Sequence, residues 1–242
     1  MATLAGDTLA VSRDEDLYSG SVDWNAIYRE GYPLERIARR LARLLPDEQG
    51  QPALMAGFAE VAAILSRQHD VRFVEYSQYM VEEARRHWPQ LDEVVHGDIL
   101  DVLAETPASC VAISCRISAN WQQGEQLARL VEAILRHPRL RIVIDAFDVE
   151  RLPLSTRIVS GSGRHQLAWQ TLSRHMLEPE WGMHAVHWRG EKPDLPAWVS
   201  AFEPATLTRC LARQLPGHEV RCLPPLIPQD PGFALVITPR TP

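Results

Sequence analysis

The chain has no run approaching the roughly 18 uncharged apolar residues that a membrane-crossing helix needs, so no span of a bilayer is expected. It has no block of lysine or arginine longer than one helix face, and its formal net charge is −6. A phosphate-backbone partner is therefore not expected, and neither is a nucleic acid complex. The opening stretch "MATLAGDTLAVSRDED" lacks the basic start and cleavage pattern of a secretory signal. The expected location is cytoplasmic. Cysteine is scarce: Cys110, Cys115, Cys210 and Cys222 include no C-x-x-C pair, which excludes the common zinc and redox spacings and leaves reduced, mostly buried thiols as the expectation. Nine histidines are scattered without an H-E-x-x-H arrangement, so no metal is expected.

What is present is an ordinary globular composition, with 242 residues, 45% hydrophobic and 23% charged. That length supports one α/β domain with a sizeable core. Residues 1–23 are polar, acidic and aperiodic and read as a flexible arm, followed by a single domain over 24–242 with an insertion at about 155–195. In "LERIARRLARLL" the apolar residues Leu34, Ile37, Leu41, Leu44 and Leu45 recur at helical spacing, and Pro46 stops the run. A second helix is expected over 58–67. Beyond it, short apolar strands ("VRFVE", "EVVHGD", "CVAISC", "LRIVIDAF") alternate with helical stretches, among them "GEQLARLVEAILRH" with Leu127, Leu130, Val131, Ile134 and Leu135 expected to face inward. This alternation predicts βαβ units and a mostly parallel sheet covered on both faces. The rhythm breaks at 164–190, where "HQLAWQTLSRH" and "MHAVHWRG" flank the turn "LEPEWG" and predict a hairpin. "EPATLTRCLARQL" then predicts a helix, and "HEVRCL" and "GFALVITP" the last two strands.

The order and spacing of these elements over about residues 24–238 resemble the class I S-adenosylmethionine (SAM) dependent methyltransferases. Glu75, ending "VRFVE", resembles the acidic residue that takes the two hydroxyls of the donor's ribose. "YSQYMVEEARRHWP" resembles the helix that closes over adenosine. In "HGDIL", Asp98 matches the residue that meets the adenine amino group, and Ile99 the one that packs on the ring. The resemblance implies a three-layer sandwich around a seven-stranded, mostly parallel Rossmann-like sheet whose last strand is antiparallel. It also implies an N-terminal helical lid, with SAM as the candidate cofactor.

The departures fall in "ALMAGFAEVA", aligned with D-x-G-x-G-x-G. Ala53 replaces the acidic residue, Met55 the first glycine and Ala59 the third, leaving Gly57. Glycines in such a loop give positive φ and bare backbone at a helix N-terminus. Met55 and Phe58 are expected to add bulk there, and Gly57 reads either as part of the cradle or as a packing glycine.

Other candidate residues cluster after the fourth and fifth strands. Arg116 could hold an anionic group through paired hydrogen bonds, beside Asn120 and Trp121, although it could equally pair with the next helix. Asp145 and Asp148 could serve as bases toward an amine or hydroxyl. Tyr18, Trp24, Tyr28 and Tyr32 form an aromatic segment that suits either a lid over substrate or a core staple. His184 and His187 point to opposite faces of a strand, so at most one lines a pocket, with His187 the candidate base. Three functions stay open. One is a natural-product tailoring enzyme that has lost methyl transfer and performs an intramolecular displacement, elimination or cyclisation such as small nitrogen-ring closure. Another is a SAM-dependent small-molecule methyltransferase. The third is a non-catalytic subunit that stabilises an active homologue, with "RCLPPLIPQDPGF" as a candidate interface; a homodimer or a heterodimer with a homologous chain is the corresponding partner expectation.

Overall fold

A computed structural model describes residues 33–45, 51–57, 59–106, 108–114, 124–152, 155–159, 166–190, 198–226 and 231–240. The elements in the first half are α1 (Leu34–Ala42), β1 (Ala53–Ala56), α2 (Ala59–Leu65), β2 (Val71–Glu75), α3 (Gln78–His87), β3 (Val94–His96), α4 (Ile99–Glu105) and β4 (Cys110–Ser114). Then come α5 (Gly124–Arg136), β5 (Arg141–Asp148), β6 (Ser155–Val159), β7 (Gln166–Glu178), β8 (Met183–Gly190), β9 (Trp198–Phe202), α6 (Pro204–Gln214), β10 (His218–Leu223) and β11 (Gly232–Pro239).

The sequence-expected core is present, with strands in the order β3-β2-β1-β4-β5-β11-β10. All are parallel up to β5, and β11 inserts antiparallel between β5 and β10. Side chains alternate across this sheet into two apolar layers. Leu54, Ile142, Ile144, Leu235 and Ile237 pack with Leu103, Leu130, Ile134 and Leu211, the layer of α4, α5 and α6. Their neighbours Met55, Val143, Ala234 and Val236 face the opposite way and pack with Ile37, Ala62 and Val81, the layer of α1, α2 and α3. This period-2 division makes the molecule a three-layer sandwich.

The helices form where the apolar stripe says they should. In α1 the buried set is Leu34, Ile37, Ala38 and Leu41. In α5 the buried stripe is Leu127, Leu130, Val131 and Ile134, whereas Leu135 is 56% exposed. This corrects the expectation for Leu135: it stands about 40° of rotation beyond Val131, the edge of the buried stripe.

The sheet is larger than the seven strands expected. Among the described residues it has 11, because β6, β7, β8 and β9 add an antiparallel ribbon joined to β5 through β9. The predicted hairpin is β7–β8, turning through a 3-10 turn at Pro179–Trp181, and β6 and β9 extend it on either side. Pairing of β4 with β5 stops at Ser114↔Asp145, and β9 pairs with β5 at Phe147↔Ala201 and Asp148↔Phe202. The Asp148 N–H donates to the Pro231 carbonyl and the next N–H, of Val149, to the Phe202 carbonyl. Successive N–H groups of a strand point to opposite edges, so β9 lies on the edge away from β11, continuing where β4 leaves off. The ribbon therefore rises from the C-terminal edge of the parallel strands.

The foot of the ribbon is bound into the core. Trp181, Met183 and Phe202 belong to the same apolar layer as Leu207 and Leu211 of α6. Gly182 adopts φ +61, and a Cβ on it would stand 2.8 Å from the Thr206 Cβ and 2.9 Å from the Glu203 Cβ. Only a glycine fits this junction. No described helix is long and apolar enough to cross a membrane.

Candidate functional site

In an open α/β sheet the carboxyl ends of the parallel strands are where ligands are received. The registers put the candidate residues in one row along that edge. Glu75 pairs with His96, and Ser114 with Asp145. Met55 pairs with Phe73 and Ala56 with Ile113, which brings Gly57 level with both Glu75 and Ser114. The row thus runs His96, Glu75, Gly57, Ser114, Asp145. From Glu75 to Asp145 it crosses three strand spacings, about 14 Å.

Gly57 directly follows β1, is exposed and has φ +113. The exposure and the positive φ, which favours glycine, are those of a bare turn. Met55 behaves otherwise than expected. It lies inside β1, is 4% exposed and packs against the α1–α3 layer. Its bulk fills the core and does not crowd the turn. Phe58 lies outside the described residues.

Glu75 ends β2. Its Oε1 accepts the Ser77 N–H at 3.0 Å, and the Ser77 hydroxyl in turn caps α3 by accepting the Met80 N–H at 3.4 Å. The carboxylate is thereby oriented by the turn that follows it. His96 Nε2–H donates to the Tyr76 carbonyl at 2.9 Å, tying the end of β3 to the same turn. Two exposed aromatic side chains follow Glu75 in the chain, Tyr76 at 50% and Tyr79 at 38% exposure. The sequence reading passed over both; their signal was an aromatic on each side of the α3 cap, just after an acidic strand end.

Asp98 is the N-cap of α4, its Oδ1 accepting the Leu100 N–H at 2.8 Å. Its Oδ2 lies 3.4 Å from Nη1 of Arg129, whose Nη2 is bound to Asp101 at 2.5 Å. Ile99 is 4% exposed and packed in the core. Asp145 sits within β5 on the face of Val143, 2% exposed, rather than beyond the strand end. Asp148 is the residue at the end, and its Oδ1 accepts the Glu150 N–H at 3.0 Å.

On the ribbon, His184 donates from Nε2 to Glu203 at 3.0 Å, and the Thr206 hydroxyl donates to the other Glu203 oxygen at 2.8 Å. These two bonds hold the Glu203 carboxyl below the usual carboxylate range. His184 is thus engaged in the junction. His187 pairs through its backbone with Ser173 and Trp198, and its side chain lies outside the described residues. Arg116, Asn120, Trp121, Tyr18, Trp24, Tyr28 and Tyr32 lie outside them as well. Among the described residues no cluster of His, Cys, Asp and Glu could hold a metal ion. A cavity of about 570 Å³ lies elsewhere, between α1 and α2, lined by Arg36, Arg39, Arg67 and Trp88 among others. Arg67 and Trp88 follow the C-terminal ends of α2 and α3, which puts that part of the lining at the edge opposite the row.

No family model matches this chain, and no curated protein does. Solved structures do. DesVI from Streptomyces venezuelae matches with a TM-score of 0.63 and 16% identity, over 95% of this chain and 99% of that one. CalS10 from Micromonospora echinaspora, an amino pentose methyltransferase of calicheamicin biosynthesis with SAM bound, matches at 0.58 and 15% identity, over 90% and 96%. The sugar N-methyltransferase KedS8 from Streptoalloteichus sp. matches at 0.53 and 21% identity, over 100% and 98%. The chain has the class I methyltransferase-like fold.

Proposed function

We propose that this chain is a SAM-dependent methyltransferase acting on an amine or hydroxyl of a small, natural-product-type molecule. The observation that carries the reading is the row Glu75, Gly57, Ser114, Asp145 at the C-terminal edge. It offers a carboxylate for a diol, a bare turn for close approach, and an acidic side chain one strand beyond Ser114. The residues fit the donor: Gly57 keeps positive φ, and Asp98 presents a carboxylate at the neighbouring strand end. SAM, when bound, supplies an electrophilic methyl group on a sulfonium.

The chain's own contribution is position. Glu75, fixed by Ser77, holds the ribose end, and Asp98 accepts from the adenine amino group. The ribbon rising beside β5 covers the acceptor end, where Asp145 is the candidate base. Aligning nucleophile and donor supplies most of the acceleration such a transfer needs, up to roughly 7–11 kcal/mol. SAM on CalS10 and the amino-sugar substrates in two neighbours' names support this choice of donor and acceptor class. The non-methylating reading rested on bulk at positions 55 and 58; Met55 is a core residue, and Phe58 lies outside the described residues.

The test is to incubate the purified chain with methyl-labelled SAM and a panel of amino sugars and hydroxylated aglycones. Transfer of label to an amine or hydroxyl, with release of S-adenosylhomocysteine, is expected. Turnover of a panel member without label transfer would overturn the proposal.

A further inference from the structure

Arg129 stands where the candidate donor site meets the surface, and its guanidinium is divided among three acceptors at unequal distances. Nη2 bonds Asp101 at 2.5 Å, while Nη1 is shared between Gln126 at 3.1 Å and Asp98 at 3.4 Å. The contact to Asp101 is short and charge-assisted, whereas that to Asp98 is at the limit of hydrogen bonding. Asp98 is the more buried partner, its side chain 15% exposed against 72% for Asp101. Its other oxygen is committed to the Leu100 N–H.

We infer that Arg129 is a gate on Asp98, held open by Asp101. This rests on the SAM reading, in which Oδ2 of Asp98 takes the adenine amino group. The arginine competes for that oxygen, and Asp101, which has no other role in the site, draws it aside. Asp101 and Arg129 are thus positioning residues for donor binding. The two carboxylates divide one cation, and the less buried of them holds it more tightly.

The arrangement makes an unusual prediction, because removing an exposed carboxylate weakens binding and removing the arginine as well restores it. The experiment is calorimetric titration of the full chain with S-adenosylhomocysteine, using wild type, Asp101→Asn, Arg129→Gln and the double variant, each checked for unchanged thermal unfolding. Asp101→Asn is expected to weaken binding roughly two- to fivefold, the worth of an exposed ion pair. Arg129→Gln is expected to bind at least as tightly as wild type, and the double variant to return to wild-type affinity. A purely structural role for the pair would weaken all three variants together. Wild-type binding with an unaffected Asp101→Asn, an unrescued double variant or a weakened Arg129→Gln would overturn the gate and leave the SAM reading standing. Failure of the wild type to bind would overturn both.

Discussion

Substituting Gly182 by alanine probes the junction that seats the ribbon on α6. The backbone there has φ +61, and the added Cβ would lie 2.8 Å from the Thr206 Cβ and 2.9 Å from the Glu203 Cβ. Holding an L-residue in the left-handed region costs about 1–2 kcal/mol. Both neighbours are Cβ atoms fixed to the backbone of the first turn of α6, so no rotamer change relieves the contact, and overpacking of this kind adds about 1–3 kcal/mol. Against this, alanine restricts the unfolded chain by about 0.4–1 kcal/mol in the variant's favour. The net expectation is a loss of about 2–4 kcal/mol. For a chain of this length each kcal/mol moves Tm by about 2–4 °C, so the variant should melt roughly 4–16 °C lower by scanning calorimetry. Because the Glu203 N–H donates to the Gly182 carbonyl at 2.8 Å, the same change should loosen the His184–Glu203 pair and raise amide exchange along β8. A Tm within about 2 °C of wild type would refute the steric reasoning.

Other perturbations separate parts of the account. Leu130→Ala, at a site 0% exposed, should cost about 2–5 kcal/mol, and Leu135→Ala, 56% exposed, under about 0.5 kcal/mol in chemical denaturation; equal effects would contradict the placement of the α5 stripe. His218 is 4% exposed at the start of β10, and burial holds its imidazole below the ordinary 6.5. A proton therefore binds the unfolded chain more tightly, so full stability is kept above the unfolded pKa and lost as pH falls through it. Wild type should lose stability relative to His218→Leu between about pH 7.5 and 5.5, and a constant difference across that window would contradict the burial argument. Glu75→Ala removes the proposed diol acceptor and should weaken S-adenosylhomocysteine binding about tenfold or more, the worth of a hydrogen bond to a charged group, with Glu75→Gln intermediate. Unchanged calorimetric affinity in both would remove Glu75 from the site.

The core was legible because its signal is repeated: short apolar strands separated by amphipathic helices predict the parallel order, and the closing strand follows the last helix as expected. The faces of β1 were not legible. "ALMA" is apolar throughout, and a strand buried on both sides shows no alternation, so nothing in the sequence told Met55 pointing into the core from Met55 crowding a turn. Leu135 misled for a related reason, since it falls only about 40° around the helix from Val131, at the blurred edge of the stripe. Strands β6 and β9 were missed: each is 5 residues long, and although β6 pairs with its neighbour β7, β9 is fixed in part by β5, remote in the chain. At the candidate site, Glu75 and Asp98 were proposed from the resemblance of "VRFVE" and "HGDIL" to the family's motifs, while the links that orient them could be seen only once the turns were folded. Those links run from Ser77 to Glu75, and from Leu100 and Arg129 to Asp98.

The most direct test of the central claim is a crystal structure of the chain soaked with SAM. The account predicts the ribose hydroxyls on Glu75, the adenine amino group on Asp98 and the backbone of Gly57 beside the donor, with the methyl group turned toward the end of β4. SAM missing from that edge at saturating concentration, or seated instead in the cavity between α1 and α2, would contradict it.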